Sequence, residues 1–329
     1  MKATARAHPN IALVKYWGKR DERLILPHQS SLSVTLGPLS VTTTVEFHAQ
    51  RGDDVVQING TLARDGERAR VVSVLKLVRR EARAAGRRAP GLAHVTSAGD
   101  FPAAAGLASS AAAFAALAVA ARVAAGLPRD VRAESVLARQ GSGSACRSVQ
   151  GGFVRWNRGA RADGRDSYGE QLFDAGHWPD LRLLVGMVSR EEKEVKSRDG
   201  MRNTVATSPY YPAWAKDAEV EVKRLVPLIR RRDLEAVGEL SERNAWRMHA
   251  TAFAARPPLC YLKPETLSVM QACGRLRKQG VGVWFTLDAG PNPVLLTSAR
   301  DEARVAAVLE GHGAASVVRC SPGGDVVVS

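Results

Sequence analysis

Aromatic residues are scarce, at 5% of the 329-residue chain, too few to supply the stacking platforms on which single-stranded nucleic acid is bound. Cysteine is rarer still. Cys146, Cys260, Cys273 and Cys320 stand far apart with no CxxC pair, which argues against both a disulfide framework and a thiolate zinc site and leaves free thiols. Long apolar runs are missing as well: the alanine-rich stretch 102–125 is broken by glycine and carries Arg122, short of the ~18 uninterrupted apolar residues of a membrane span. The opening MKATARAHPN lacks the hydrophobic region of a signal peptide. The chain is therefore expected in the cytoplasm, with no membrane partner.

Acidic residues are in deficit, 33 against 47 Lys and Arg, which gives a formal charge of +14 and a field that favours anionic partners. The basic residues are spread through RREARAAGRR, VKRLVPLIRRRD and GRLRKQG, as on solvated helix faces, and no helix-turn-helix, finger or stacking motif accompanies them. Nucleic acid is not expected as the partner. With 45% apolar residues, the chain is long enough to bury a large core and to form two domains.

The pattern changes near residue 180. Before it, β-branched alternating runs at 40–49 and 54–60 and the segment AHVTSA read as strands, with helices over 66–85 and 130–139. After HWPD (177–180) come a strand LRLLVGMVS, helical patterns over 215–231, 233–250 and 264–279, a hairpin-like VGVWFTLDAGPNPVLLTS, and a helix near 301–311. There is no internal repeat or low-complexity linker. The class is α+β, with domains expected at 1–180 and 181–329.

Four clusters carry polar chemistry. PAAAGLASSAAAFAALAVA (102–120) opens with Gly106 and the Ser109-Ser110 pair. Small side chains over a helix start leave its unpaired N–H groups open to a polyphosphate, but they equally suit close packing against another helix, and the lysine of a Walker-type loop is absent. HPNIALVKYWGKRD (8–21) places Lys15, Tyr16, Trp17 and Lys19 on a run too polar for a buried strand, and LPHQSSLSVTL (26–36) gathers Ser30, Ser31, Ser33 and Thr35. GSGSACRSVQGGFV (141–154) combines glycines, hydroxyls and Arg147, an anion-binding set. In FTLDAGPNP (285–293), Asp288 ends an apolar strand just before Ala-Gly-Pro, a place where a carboxylate can stand at a cleft rim.

Taken together and in order, NIALVKYWGKRD, LPHQSSLSVTL, FPAAAGLASSAAAFAAL, GSGSACRS followed by GGFVRW, VKSRDGM with TVATSPYY, and FTLDAGPN resemble the diphosphomevalonate decarboxylase family of the GHMP kinase superfamily. The resemblance spans residues 9–292. KYWGK and GSGSACRS distinguish that family from superfamily relatives that share only the glycine/serine loop. It implies a ribosomal-protein-S5-like N-terminal domain, a ferredoxin-like C-terminal domain, and an active site in the cleft between them. It also implies ATP-dependent phosphorylation of the tertiary 3-hydroxyl of mevalonate 5-diphosphate, followed by loss of phosphate and CO2 to give isopentenyl diphosphate.

By the same resemblance Asp288 is the catalytic carboxylate, Arg147 grips the substrate carboxylate, and Lys19 lies near the 3-hydroxyl. Tyr16, Ser142, Ser144 and Arg198 become substrate contacts; Ala105, Gly106, Leu107, Ala108, Ser109, Ser110 and Ser197 become ATP contacts. Ser109 or Ser110 would touch magnesium, and a homodimer is implied. His8 and His249 receive no role, and Trp17 and Trp156 are read as packing. Three short stretches depart from the family's usual pattern: Gln29 in LPHQSS, Gly99-Asp100 before the glycine/serine loop, and Lys196 beside Ser197. Alternatives are a mevalonate 5-phosphate decarboxylase, a mevalonate 3-kinase that stops before decarboxylation, and a basic binding protein without activity.

Overall fold

Alternation decides the first sheet. In VTTTVEF the residues Val41, Val45 and Phe47 are buried, with Thr43 on the same face, while Thr42 is exposed, the period of two of a half-buried strand. The computed structural model describes every residue except 51, 89, 102–108 and 192. In chain order its strands are Lys2–Ala7 (β1), Asn10–Val14 (β2), Lys19–Asp21 (β3), Leu26–Pro27 (β4), Ser31–Gly37 (β5), Val41–Phe47 (β6), Val55–Ile58 (β7), Thr61–Leu62 (β8), Ala93–Gly99 (β9), Phe153–Trp156 (β10), Gly169–Phe173 (β11), Leu181–Gly186 (β12), Val283–Thr286 (β13), Val294–Ser298 (β14), Val317–Pro322 (β15) and Val327–Val328 (β16). The helices are Asp65–Ala84 (α1), Ser109–Ala124 (α2), Val131–Gly141 (α3), Ser197–Thr207 (α4), Tyr211–Arg231 (α5), Leu234–Phe253 (α6), Pro264–Lys278 (α7) and Glu302–Gly311 (α8).

One sheet runs β16-β1-β6-β9-β7-β8, with β7 parallel to β9. Helix α2 packs on β1 and β6. Its alanines let it approach closely: Ala111, Ala112, Ala115, Ala116 and Ala118 are all fully buried. Helix α1 turns Val71, Val74, Leu75, Val78 and Ala82 inward, the three-and-four spacing of an amphipathic helix.

The second sheet runs β11-β10-β5-β15-β12-β14-β13, with β2 paired to β5. It therefore joins strands from both ends of the sequence. Helix α6 lies across β2 and β13, the strands that lead to Lys15 and Asp288. One expectation is overturned here: Asn10–Val14 is a buried strand in every residue, and Lys15, Trp17 and Lys19 beyond it are buried too. Lys15 and Lys19 tolerate burial because each finds a carboxylate. Ser31, Ser33 and Thr35 are likewise fully buried within β5. No helix among the described residues is long and apolar enough to cross a membrane.

Candidate active site

Strand β13 delivers Asp288 two residues past its end, and β2 delivers Lys15 one residue past its own. Lys15 Nζ donates to Asp288 Oδ1 at 2.8 Å and to the Ala12 carbonyl at 2.8 Å. Thr286 Oγ1 also donates to the Ala12 carbonyl, at 3.0 Å, and so ties the two strands together. Burial pushes the Lys15 ammonium below the ordinary lysine range, with Asp288 pulling it back up and Arg147 pushing it down. The Asp288 side chain keeps 32% of its surface exposed, and Oδ2 accepts no hydrogen bond among the described residues. The pair thus offers one carboxylate oxygen to the cleft and holds the other.

Arg147 ends the 3₁₀ turn Gly143–Arg147. Its guanidinium donates to Ser33 Oγ at 2.9 Å, Ser31 Oγ at 2.6 Å and Asn10 Oδ1 at 3.1 Å. All three acceptors are neutral, although Arg147 is only 2% exposed. A buried cation without a contacting carboxylate is costly unless an anion completes the site. Burial lowers its proton affinity, and Asp288 is near enough to oppose that. Asn10 fixes the turn in return, donating to the Ser144 carbonyl and to Ser148 Oγ.

Tyr16 packs against Trp156 with ring centroids 4.6 Å apart and planes tilted by 58°, and the Trp156 ring also lies under Arg147. The Tyr16 hydroxyl is buried without a hydrogen-bond partner among the described residues, and burial holds it well above the ordinary tyrosine range. Gly143 makes this approach possible, since a Cβ there would come within 2.8 Å of the Tyr16 ring.

Further cations surround the pair. Lys193 sits close enough to feel Asp288; burial pushes its ammonium down, and it donates to Ser197 Oγ at 3.1 Å at the start of α4. Lys19 pairs with Glu22 at 2.6 Å rather than with Asp288, and its ammonium is within electrostatic reach of Arg198. Arg198 in turn reaches Arg70. Arg70 lines a cavity of about 300 Å³ together with Val71, Val95, Phe114, Ser109 and Ser110. That cavity contains none of Asp288, Lys15 and Arg147. The two regions meet where Ser110 Oγ lies 3.3 Å from Ser142 Oγ. Ala105, Gly106, Leu107 and Ala108 lie outside the described residues.

From the sequence, Lys15 stands in a polar cluster without an assigned role, and Lys193 is not singled out. Lys15 lay inside the KYWGK block, but nothing local distinguishes it from Lys19; only the arrival of Asp288 from 273 residues away does so. His249 is also near, buried and feeling both Lys15 and Asp288. Neither ring nitrogen meets hydrogen-bond geometry among the described residues, although the Leu287 and Asp288 backbone lies near enough to favour the charged ring against its burial. The departures have local explanations where they touch the site: Gln29 Nε2 donates to the Lys15 carbonyl at 3.3 Å, and Asp100 accepts from both the backbone and the hydroxyl of Ser40 at 2.7 Å. Lys196 precedes α4 and is exposed.

No group of three or more His, Cys, Asp or Glu among the described residues forms a metal cage. A magnesium ion carried by phosphate oxygens needs none, because that ion keeps waters and takes few protein ligands. The hydroxyls of Ser109 and Ser110 at a helix start fit such an ion and its polyphosphate.

Comparison with known proteins agrees along the chain. Residues 7–169 match the family model of the diphosphomevalonate decarboxylase-like N-terminal domain, and residues 183–317 match that of the mevalonate 5-diphosphate decarboxylase C-terminal domain. A diphosphomevalonate decarboxylase of Rattus norvegicus is 40% identical over 313 residues, covering 90% of this chain and 77% of its own length. A solved structure of MDDEF in complex with MVAPP, AMPPCP and magnesium superposes with a TM-score of 0.92 at 39% identity, covering 100% of this chain and 99% of that one. The mevalonate diphosphate decarboxylase from Enterococcus faecalis gives a TM-score of 0.91 at 38% identity, over 100% and 99% of the two chains.

Proposed function

The chain belongs to the diphosphomevalonate decarboxylase family, and we propose from this premise that its cleft converts mevalonate 5-diphosphate and ATP to isopentenyl diphosphate, ADP, phosphate and CO2. The observation that carries the reading is the Lys15–Asp288 pair beside a buried Arg147 that lacks a contacting carboxylate. A tertiary alcohol is a weak nucleophile. Asp288 Oδ2 is the group that orients the 3-hydroxyl and takes up its proton, while Lys15 holds Oδ1 and fixes the direction of the other oxygen. Arg147 holds the substrate carboxylate by its fork, so that the departing CO2 stays aligned with the leaving phosphate. Lys193, Lys19 and Arg198 face the negative charge that develops on transfer and departure.

Tyr16, Ser142 and Ser144 line the substrate side. The nucleotide takes the 300 Å³ cavity, its phosphates directed to the start of α2, where Ser109 and Ser110 receive them, and to Ser197; Ala105, Gly106, Leu107 and Ala108, outside the described residues, are further ATP contacts by resemblance alone. Magnesium supplies charge neutralisation between the phosphates when bound, with Ser109 or Ser110 as its protein contact. Residues 1–180 form the nucleotide-bearing domain and residues 181–329 the domain that contributes Asp288. The two family models, one ending at 169 and the other starting at 183, are compatible with that division. Four free cysteines support a cytoplasmic setting, and a homodimer is the assembly we expect.

The test is a substrate comparison. Purified protein with ATP and magnesium should turn over mevalonate 5-diphosphate with kcat/KM at least about tenfold above that for mevalonate 5-phosphate, because extra cations serve the distal phosphate. The reverse preference would reassign the substrate to the monophosphate.

A further inference from the structure

The placement of Lys15 is set from outside its own strand. Where β2 pairs with β5, Ala12 lies opposite Ser33 and Val14 opposite Leu32, so the register slips by one residue at Leu13. Such a bulge re-aims the chain that follows it. The Lys15 N–H then finds its partner on α6: it donates to Asn244 Oδ1 at 2.8 Å. Gln29 donates to the Lys15 carbonyl at 3.3 Å.

Asn244 is itself held. Its Nδ2 donates to Glu221 Oε2 on α5 at 2.6 Å, and Glu221 Oε1 accepts from Arg243 and Arg247 at 3.3 Å each. Asn244 is fully buried and Glu221 nearly so. Both halves of the amide are therefore committed, the oxygen to Lys15 and the nitrogen to the carboxylate, and a flipped amide would set two donors and two acceptors face to face. A carboxylate and an amide buried between two packed helices are expensive. A purely structural pairing would close within α5 and α6. This one ends on the main chain of the lysine that holds Asp288.

Building on the decarboxylase reading, we propose that Asn244, oriented by Glu221, is a positioning residue for the reaction: it fixes the Lys15 main chain so that the ammonium meets Asp288 Oδ1. Asn244 touches no reacting atom. A displacement of about 1 Å in a catalytic group costs on the order of 100-fold in rate, so this anchor bears on turnover rather than on affinity.

Full-length Asn244→Ala, Asn244→Asp and the double variant Asn244→Asp/Glu221→Gln test it, by kcat, KM for mevalonate 5-diphosphate, ATP-analogue affinity and Tm. Asn244→Asp keeps the acceptor for Lys15 but sets it against Glu221, and should lower kcat roughly 30- to 100-fold with KM and nucleotide affinity within about threefold. In the double variant the new amide at position 221 donates to the new carboxylate at position 244. The chain of hydrogen bonds is restored with its net charge, and kcat should return to within about fivefold of wild type. Should Asn244→Ala fail to fold, the two volume-conserving variants still decide the matter. Single variants within twofold of wild-type kcat would overturn the proposal, as would losses of kcat, affinity and Tm that move together without recovery in the double variant. A wild-type protein that releases no CO2 would instead remove the decarboxylase reading, and the positioning role with it; an active wild type indifferent to Asn244 removes the positioning role alone.

Discussion

Asp288 and Lys15 are separated by 273 residues yet meet at 2.8 Å, and their roles divide by oxygen: one held, one offered. Asp288→Ala should therefore lower turnover by about 10³-fold or more while ATP-analogue affinity stays within about threefold of wild type, because the phosphate contacts lie elsewhere. Turnover within tenfold of wild type would take Asp288 out of the reaction. His249 makes a different forecast. Burial pushes its imidazole down to about 4 from an ordinary 6.5, so between those values the unfolded chain binds a proton that the folded chain refuses. Its titration adds no pH dependence above pH 6.5; stability falls as the pH drops through the window, by about 3 kcal/mol once below pH 4. His249→Gln should flatten the decline of Tm across that window. A slope equal to wild type would mean that the folded ring takes up its proton freely.

Elements were read from the sequence with uneven success, for reasons that differ. Amphipathic spacing set the helix expected over 66–85 at Asp65–Ala84, and the one expected over 264–279 at Pro264–Lys278, since three-and-four periodicity is local. The strand Asn10–Val14 went unread because it leads into Lys15 and Lys19. What makes their burial tolerable for Lys15 is Asn244 and Asp288, partners no window around residue 15 contains. The same limit hid Lys15 behind Lys19: motif order identifies the block, but only tertiary contact identifies the lysine that faces the carboxylate. Helix α2 carries its own test. Ala113 lines the 300 Å³ cavity one turn beyond the helix start, so Ala113→Phe should fill that space and weaken ATP-analogue binding at least tenfold, leaving mevalonate 5-diphosphate affinity within about threefold. Parallel loss of both ligands in calorimetric titrations would show that the cavity is not the nucleotide's.

At the scale of the molecule, the second sheet carries β5 and β10 from the first half of the chain beside β15, β12, β14 and β13 from the second, and β16 returns to pair with β1. Strands are thus hydrogen-bonded across the proposed domain division, and Arg147, held on β5 and β2 of the first half, is brought within electrostatic reach of Asp288 beyond β13 of the second. An excess of 14 positive charges surrounds a site whose ligands are all anions, and their encounter should slow as salt rises. On this reading one site phosphorylates the 3-hydroxyl and carries the reaction through to decarboxylation. Mevalonate 5-diphosphate labelled at its carboxyl carbon, incubated with the protein, ATP and magnesium, tests it most directly by the ratio of labelled CO2 to ADP. One CO2 is expected for each ADP, with equimolar free phosphate, from the first turnover onward. ADP formed without CO2, with the phosphate retained on the organic product, would contradict it.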